Sequence, residues 1–246
     1  MKPRSVRPLQ GWTWIVEGFK LFLLAPAMWI VITLCFSLLW IMSLVIPFLG
    51  PVIFNLFSLV FLGGILIGCR DLEQGKPLTL SHLFIGFKTN VAALVSVGGV
   101  YLAGTIIIIG ITLATVGHEA FTLFQTNKSM DTQAALNVVS EMGRSLLVAL
   151  LLYMPLMMAI WFAPALIIFN QLSVTQALIR SFSACLINPL PFTIYGFALM
   201  GLWVLGSIPF LLGLLVVLPL AFCTVYVSYK DVFADELIEV LPPETP

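Results

Sequence analysis

Residues 169–189 read FNQLSVTQALIRSFSACLINP and form a polar, helix-patterned connector between two long apolar runs. Near-copies of its two ends recur at matching places. Three triplets each follow an apolar run: Arg70-Asp71-Leu72, Asn170-Gln171-Leu172 and Lys230-Asp231-Val232. Three others each precede one: Gly18-Phe19-Lys20, Gly86-Phe87-Lys88 and Ser181-Phe182-Ser183. This repetition predicts three hairpins of membrane helices, each preceded by a short surface helix.

The composition of the chain also predicts a membrane protein. Hydrophobic residues make up 61% of the chain and charged residues 9%, whereas a soluble domain carries about 25% charged residues. So few charges do not cover a water-exposed surface of this size, so lipid is the expected solvent. Eleven basic residues balance eleven acidic ones, which argues against nucleic acid as a partner.

Six apolar runs approach the length of about 20 residues that a helix needs to cross the hydrocarbon core. They cover about 27–46, 52–69, 91–116, 146–169, 190–208 and 214–229. The predicted fold is therefore all-α: a polytopic bundle of six transmembrane helices in three hairpins, with cytoplasmic interfacial amphipathic helices. We expect one integral membrane domain over 1–246, with hairpins at about 11–72, 80–172 and 175–232 and an acidic cytoplasmic tail over 233–246.

The polar stretches predict further surface helices. Residues 11–26 mix tryptophan and phenylalanine with Glu17 and Lys20, a pattern suited to the headgroup layer. Leu80, Leu83 and two phenylalanines lie at helical spacing over 80–87, with Ser81 as the expected cap. The polar segment 117–143 contains a possible helix over 131–142, and the tail contains a short amphipathic one ending at Pro242.

Landmarks at nearly constant offsets support an internal repeat. Phe19 and Phe182 are 163 residues apart, Pro47 and Pro209 are 162 apart, and Arg70 and Lys230 are 160 apart. Because all three hairpins begin on the same side, the repeats are parallel. Such repeats occur in membrane proteins that enclose a central site and also in plain scaffolds.

The distribution of basic residues predicts the orientation. With six spans, nine of the eleven lysines and arginines fall on one face, and Lys128 and Arg144 fall on the other. The positive-inside rule then places both termini in the cytoplasm and residues 117–143 outside. For a bacterial chain this means a multi-pass protein of the inner membrane.

The middles of the spans contain no charged residue, and placing one there costs about 2.5–3.5 kcal/mol on insertion scales. Coupled pumps accept that cost to build a relay, so its avoidance argues against an ion-coupled transporter. The deepest polar residues are expected to form inter-helix hydrogen bonds, with ligand contact as the second interpretation: Asn55, Tyr101, Tyr153 and Tyr195.

Charged residues at the predicted interface are candidate contacts for lipid or a partner, because a basic residue there suits a helix C-terminus and anionic headgroups. They are Arg70, Asp71, Lys88, Arg180, Lys230 and Asp231. Small residues are expected to mediate close packing: Gly63, Gly64 and Gly68, then Gly98, Gly99 and Ala103, then Gly196 and Gly201. Pro155, Pro164 and Pro219 are expected to kink their helices.

Motifs for chemistry are missing from the sequence. The cysteines Cys35, Cys69, Cys185 and Cys223 show no metal-ligand spacing and are interpreted as small apolar side chains. His82 and His118 lie in polar segments and are interpreted as surface residues. No phosphate loop, nucleophile elbow or HExxH is present, so we expect no catalytic residue, no metal site and no cofactor.

Four stretches together carry a resemblance: GWTWIVEGFKLFLLAP at 11–26, GCRDLEQGKPLTLSHLFIGFK at 68–88, SFSACLINPLPFTIYGF at 181–197 and VSYKDVF at 227–233. They resemble an uncharacterised family of proteobacterial six-span inner-membrane proteins. The chain is more distantly similar to the YciC type and to the membrane domain attached to some glycerophosphodiester phosphodiesterases. The resemblance implies a polytopic helical membrane protein and supplies no functional residues.

The leading functional hypothesis is a non-enzymatic scaffold or accessory protein that binds membrane lipids, a membrane-protein partner or a second copy of itself. The alternative is a passive carrier or channel for an apolar or amphipathic solute, which a central polar cavity would favour. A role in immunity or stress resistance leaves no sequence trace to test, and an enzyme is the least favoured class.

Overall fold

The computed structural model describes residues 2–115, 132–208 and 210–233, which form helices and turns. The helices are α1 (Gln10–Leu23), α2 (Pro26–Ser43), α3 (Leu49–Glu73), α4 (Val91–Thr115), α5 (Thr132–Ile160), α6 (Ala163–Asn170), α7 (Val174–Ile187), α8 (Pro189–Ser207) and α9 (Leu214–Val232). Two short 3-10 turns, Leu80–Leu83 and Ile85–Lys88, lie between α3 and α4. The predicted tail helix lies outside the described residues.

Within the described ranges, six helical segments are long and apolar enough to cross a membrane. They are α2, α3, α4, the segment Leu136–Asn170 that comprises most of α5 together with α6, then α8 and α9. The predicted all-α membrane bundle is thereby confirmed. Hairpin 1 consists of α2 and α3, hairpin 2 of α4, α5 and α6, and hairpin 3 of α8 and α9.

Each hairpin follows a short element, and we call α1, the pair of 3-10 turns and α7 the collar elements. The middle one differs from the prediction, because residues 80–88 form two 3-10 turns instead of one α-helix. Thr79, not Ser81, caps the first turn, and its backbone N–H donates to Nδ1 of His82 at 3.1 Å. Such a hydrogen bond between the N-cap backbone and the side chain three residues later is part of a capping box. The capping box fixes the start of the first 3-10 turn.

The fourth span begins earlier than the sequence suggests. Helix α5 runs without interruption from Thr132 through Pro155 to Ile160, so most of the expected surface helix over 131–142 is its first part. The chain breaks only at Trp161 and Phe162, just before Pro164. Proline has no N–H to offer the carbonyl of Ile160, four residues earlier. Helix α9 likewise continues through Pro219.

The described chain groups into two compact units. The first contains the residues up to Gly99 and those from Met158 onward, and the second contains Val100–Met157. A single membrane domain over the whole chain stays a prediction. In the second unit, the remaining parts of α4 and α5 pack together, with Gly104 facing the side chain of Leu156.

The first unit has a cyclic arrangement of collar elements. Helix α1 packs on α8 and α9 of hairpin 3, the 3-10 turns pack on α3 of hairpin 1, and α7 packs on α6 of hairpin 2. Each collar element therefore rests on the hairpin before its own, and the first rests on the last. The second helices of the hairpins meet inside this ring, since α3 contacts both α6 and α9.

Candidate functional site

The ends of α3, α6 and α9 converge beside the collar elements, and we call this end of the first unit the collar face. The ring of Phe169, on α6, lies 5.9 Å from that of Tyr226 and 5.4 Å from that of Tyr229, both on α9. The Tyr229 hydroxyl donates to Oδ1 of Asn170 at 2.5 Å. From α3, the Arg70 guanidinium lies 5.2 Å above the Phe169 ring, within range of a cation–π contact.

Glu73, at the last turn of α3, ties that helix to α9. Its carboxylate accepts hydrogen bonds from the Tyr226 hydroxyl at 2.8 Å and from the Lys230 ammonium. The Lys230 ammonium also lies 5.7 Å from the Tyr226 ring. Sequence reasoning selected Lys230 and missed Glu73. Its position, three residues after Arg70 on the same helix face, was the available signal.

Asp231, at the other side of α9, ties that helix to α1 and to the N-terminal segment. Its carboxylate accepts from Nε1 of Trp14 at 2.8 Å and from the Arg4 guanidinium at 2.6 Å. Asn188, almost fully buried, extends the contact by donating to the Arg4 carbonyl at 2.9 Å and accepting from the Val6 N–H at 2.8 Å. The segment before α1 is therefore part of the collar face.

Asp71, on α3, makes the corresponding contact with the 3-10 turns. Its carboxylate lies 3.5 Å from Nε2 of His82 and 3.3 Å from the Lys76 ammonium. His82 is only 7% exposed, so the prediction of a surface histidine is wrong. The residue is buried because its ring fills the space between Asp71 and the cap at Thr79.

The two carboxylate contacts occupy the same place in the repeat. Trp14 stands four residues before Gly18, and His82 stands four residues before Gly86. Their acceptors, Asp231 and Asp71, are the middle residues of corresponding triplets. The sequence repeat therefore has a three-dimensional counterpart: the end of one hairpin holds the next collar element through a carboxylate.

We call each contact between a collar element and the preceding hairpin a seam. The third seam, between hairpin 2 and α7, is built differently. The matching positions are Gln171, which is exposed and has the left-handed φ of 51°, and Ala177. The fully buried Ser181 joins the elements instead: its hydroxyl donates to the Met158 carbonyl at 2.7 Å and accepts from the Phe162 N–H at 2.9 Å.

Those two backbone groups stand four residues apart and would bond each other in an unbroken helix. The Ser181 hydroxyl is thus inserted into the helical hydrogen-bond ladder, one of the recognised causes of a sharp helix break. The Cys185 thiol, one turn later on α7, also lies 3.6 Å from the Met158 carbonyl. Burial raises the pKa of Cys185 to about 12, so this thiol stays protonated at neutral pH.

Small residues bring two collar elements against helix backbones. A Cβ at Gly86 would stand 2.0 Å from the Val60 carbonyl oxygen, and one at Gly18 would stand 2.6 Å from the Thr224 methyl carbon. Both distances are far below van der Waals contact, so glycine is required. The expected packing role does not extend to Gly196 and Gly201, because a Cβ at either position would meet no atom of another described residue within 4 Å.

The remaining candidate residues are spread over the two units. Lys88 is exposed on the second 3-10 turn, and Arg180 is half-buried on α7. In the first unit, the Tyr195 hydroxyl hydrogen-bonds with that of Thr224 at 2.7 Å. In the second, the hydroxyls of Tyr101 and Tyr153 hydrogen-bond to each other.

Asn55 differs from the expectation of an inter-helix hydrogen bond. Its Oδ1 is buried and has no hydrogen-bond partner among the residues that the structure describes. Across the described ranges, no group of three His, Cys, Asp or Glu side chains is placed to hold a metal ion. At the collar face, the carboxylates of Asp71, Glu73 and Asp231 each engage donors on a neighbouring element. These carboxylates therefore act as hydrogen-bond acceptors that join neighbouring elements.

Comparison with known proteins points to the same cellular location. The chain is 27% identical over 252 residues to a probable inner membrane protein of Burkholderia thailandensis, an alignment that covers 91% of this chain and 90% of that protein. Neither a protein-family model nor a solved structure matches the chain. With six candidate spans, the chain is a multi-pass protein of the inner membrane.

Proposed function

We propose that this inner-membrane protein is a non-enzymatic scaffold that binds lipid headgroups or a membrane-protein partner at its collar face. One observation carries the proposal: the carboxylates of Asp71, Glu73 and Asp231 at that face are engaged in contacts between elements. The Asp231 carboxylate accepts hydrogen bonds from Trp14 and Arg4. The Glu73 carboxylate accepts hydrogen bonds from Tyr226 and Lys230. Both carboxylates therefore join neighbouring elements.

The composition of the collar elements supports an interfacial role. Trp12 and Phe19 on α1 are 55% and 41% exposed, and Phe87 on the second 3-10 turn is 38% exposed. Lys20 and Lys88 stand beside these aromatic side chains at matching repeat positions, and both are exposed. Aromatic and basic side chains together are typical of the headgroup layer.

The collar face is placed on the cytoplasmic side in this proposal, with both termini inside the cell. Support comes from the nine basic residues assigned to that side against two on the other. Alkaline phosphatase fusions after Lys128 are expected to be active and fusions after Pro246 inactive. The reverse pattern would place the collar face outside. The more distant likeness to the YciC type also stays a prediction.

A lipid-binding measurement tests the function directly. Full-length protein in nanodiscs of mixed zwitterionic and anionic phospholipid is expected to enrich the anionic lipid at the collar face. A basic residue near an anionic surface contributes about 1 kcal/mol, so Lys20→Gln with Lys88→Gln should weaken this enrichment about 30-fold at low salt. Lys128→Gln is the matched control, and we expect no change.

A cross-linking experiment addresses the partner. Cross-linking in native membranes followed by affinity purification of the full chain should return a membrane protein or a second copy of the chain. If only monomer were recovered, and the nanodiscs showed no anionic enrichment, the scaffold proposal would be wrong.

The passive carrier or channel is the second candidate function. The interior of the first unit speaks against a solute path there, because Leu66 on α3, Leu166 on α6 and Cys223 on α9 are fully buried side chains. Efflux of trapped neutral and amphipathic solutes from vesicles that contain the protein decides between the two. Release no faster than from protein-free vesicles favours the scaffold.

A further inference from the structure

A groove opens along the second unit between α4 and α5, beside residues 105–113 of α4. Its volume is about 320 Å³. The walls are formed mainly by Thr105, Ile108, Thr112 and Leu113 from α4 and by Ala149 and Tyr153 from α5. We propose that this groove is a binding site for one acyl chain of a membrane phospholipid.

The walls of the groove offer hydrocarbon. The Thr112 hydroxyl donates to the Ile108 carbonyl at 2.7 Å, and the Tyr153 hydroxyl is occupied by Tyr101. The Thr105 hydroxyl oxygen is buried and has no hydrogen-bond partner among the described residues. A water molecule needs two to four polar partners, and this one unpaired hydroxyl does not supply them. An apolar occupant therefore fits the groove and water does not.

The dimensions of the groove favour a chain over a helix. Eight helical residues separate Thr105 from Leu113 along α4, a length of about 12 Å at 1.5 Å per residue. A helix of 10–12 Å diameter over that length would occupy roughly 1,000 Å³, well above the groove volume of about 320 Å³. One leaflet of the hydrocarbon core is about 15 Å thick, so a single acyl chain spans the groove.

The residues around the groove indicate that the acyl chain belongs to a membrane lipid. On the same two helices, Ile109 is 53%, Leu150 is 54% and Leu151 is 76% exposed, so the groove is continuous with the lipid-facing surface of a membrane protein. This site deepens the lipid-binding part of the proposed function at a place remote in sequence from Lys20 and Lys88.

Native mass spectrometry of the full-length protein, extracted from membranes in mild detergent, tests the site. Wild type is expected to retain one phospholipid per chain. Ala149→Trp fills the groove and should reduce that retention at least tenfold, with Ala149→Leu intermediate. Leu151→Trp adds the same ring on the same helix outside the groove and should retain the lipid. Unchanged retention in Ala149→Trp would overturn the proposal.

Photolabelling of the wild-type protein tests the site without relying on variants, whose folding can fail. A phospholipid with a photoactivatable diazirine on its acyl chain should label peptides containing residues 105–113 and 149–153 more than peptides of α8, which also face lipid. Equal labelling of the groove peptides and the α8 peptides would refute the site. The site would also be refuted if Ala149→Trp lost a dimer but retained the lipid. Groove lipid retained in the Lys20 and Lys88 double variant would show that this site and the collar face are independent, so either can fail alone.

Discussion

The seams closed by carboxylates and the seam closed by Ser181 all join a collar element to the preceding hairpin, yet they use different repeat positions and different chemistry. Asp71 and Asp231 reach from the end of one hairpin to His82 and Trp14 of the next collar element. At the third seam a serine hydroxyl enters a broken helix instead. The comparison teaches that the repeat keeps a contact between each collar element and the preceding hairpin while both the residue positions and the chemistry of that contact change.

The largest expected effect comes from the closest backbone approach at a seam. Gly86→Ala places a Cβ 2.0 Å from the Val60 carbonyl oxygen, and overpacking of this kind costs about 1–3 kcal/mol or more. Unfolding in mixed detergent–SDS micelles should show the loss. Gly196→Ala, at a position open to its surroundings, is the control and should be neutral or slightly stabilising. Equal unfolding free energies for the two variants would mean that the second 3-10 turn can move away from α3 without loss of stability.

The two carboxylate seams should differ in strength. Asp231→Ala leaves the buried Trp14 Nε1 without its acceptor and removes the contact to Arg4, and hydrogen bonds to charged groups contribute about 1.5–3 kcal/mol each. Asp71→Ala should cost less, about 1 kcal/mol, because its contacts are longer and partly exposed. The same unfolding assay measures both. A larger loss for Asp71 would reverse the comparison.

The serine seam is expected to fall between the two carboxylate seams in strength. Ser181→Ala leaves the Met158 carbonyl and the Phe162 N–H without the hydroxyl that joins them, and an unsatisfied buried backbone group costs about 1–3 kcal/mol. Ser96→Ala removes a hydroxyl that bonds only the Ala92 carbonyl of its own helix and serves as control. Similar unfolding free energies for the two variants would show that Ser181 does not hold this seam.

The smallest effect is expected inside the spans. Tyr153→Phe removes the hydrogen bond to Tyr101 in the second unit, and Tyr195→Phe removes the bond to Thr224 in the first. Hydrogen bonds between membrane helices contribute about 0.6 kcal/mol on average, so both variants should stay folded. Tyr195 is 3% exposed, so its loss should be the larger in an unfolding titration. A loss above about 2 kcal/mol at Tyr153 would contradict this ranking.

Much of the fold follows from one-dimensional patterns. Apolar runs of about 20 residues have one stable arrangement in lipid, because a helix satisfies its own backbone hydrogen bonds. Their number was therefore readable, and so were their limits except at the fourth span, which begins at Leu136 instead of about residue 146. The repeat also marked Asp71 and Asp231, which do lie at the collar face. The middle collar element was misread, because apolar residues spaced for an α-helix also suit two 3-10 turns when a threonine cap and a close glycine intervene.

The partners of the candidate residues were not readable. Glu73 pairs with Lys230 across 157 residues of sequence, and Asp231 pairs with Trp14 across 217. No local pattern encodes such a distance, so Glu73 was missed and His82 was placed at the surface. The break before α6 was ascribed to its prolines, whereas Ser181 of another helix completes it. These contacts depend on which hairpin lies beside which.

The sequence by itself determined that this chain is a six-span helical protein with a three-part repeat, because hydrophobic length and periodicity are local properties that lipid selects directly. Only the tertiary structure decided that the collar elements close a ring, that Asp71, Asp231 and Ser181 hold its three seams, and that a groove for a hydrocarbon chain opens between α4 and α5. Those features depend on the spatial order of the helices, which side-chain packing sets and chain order does not.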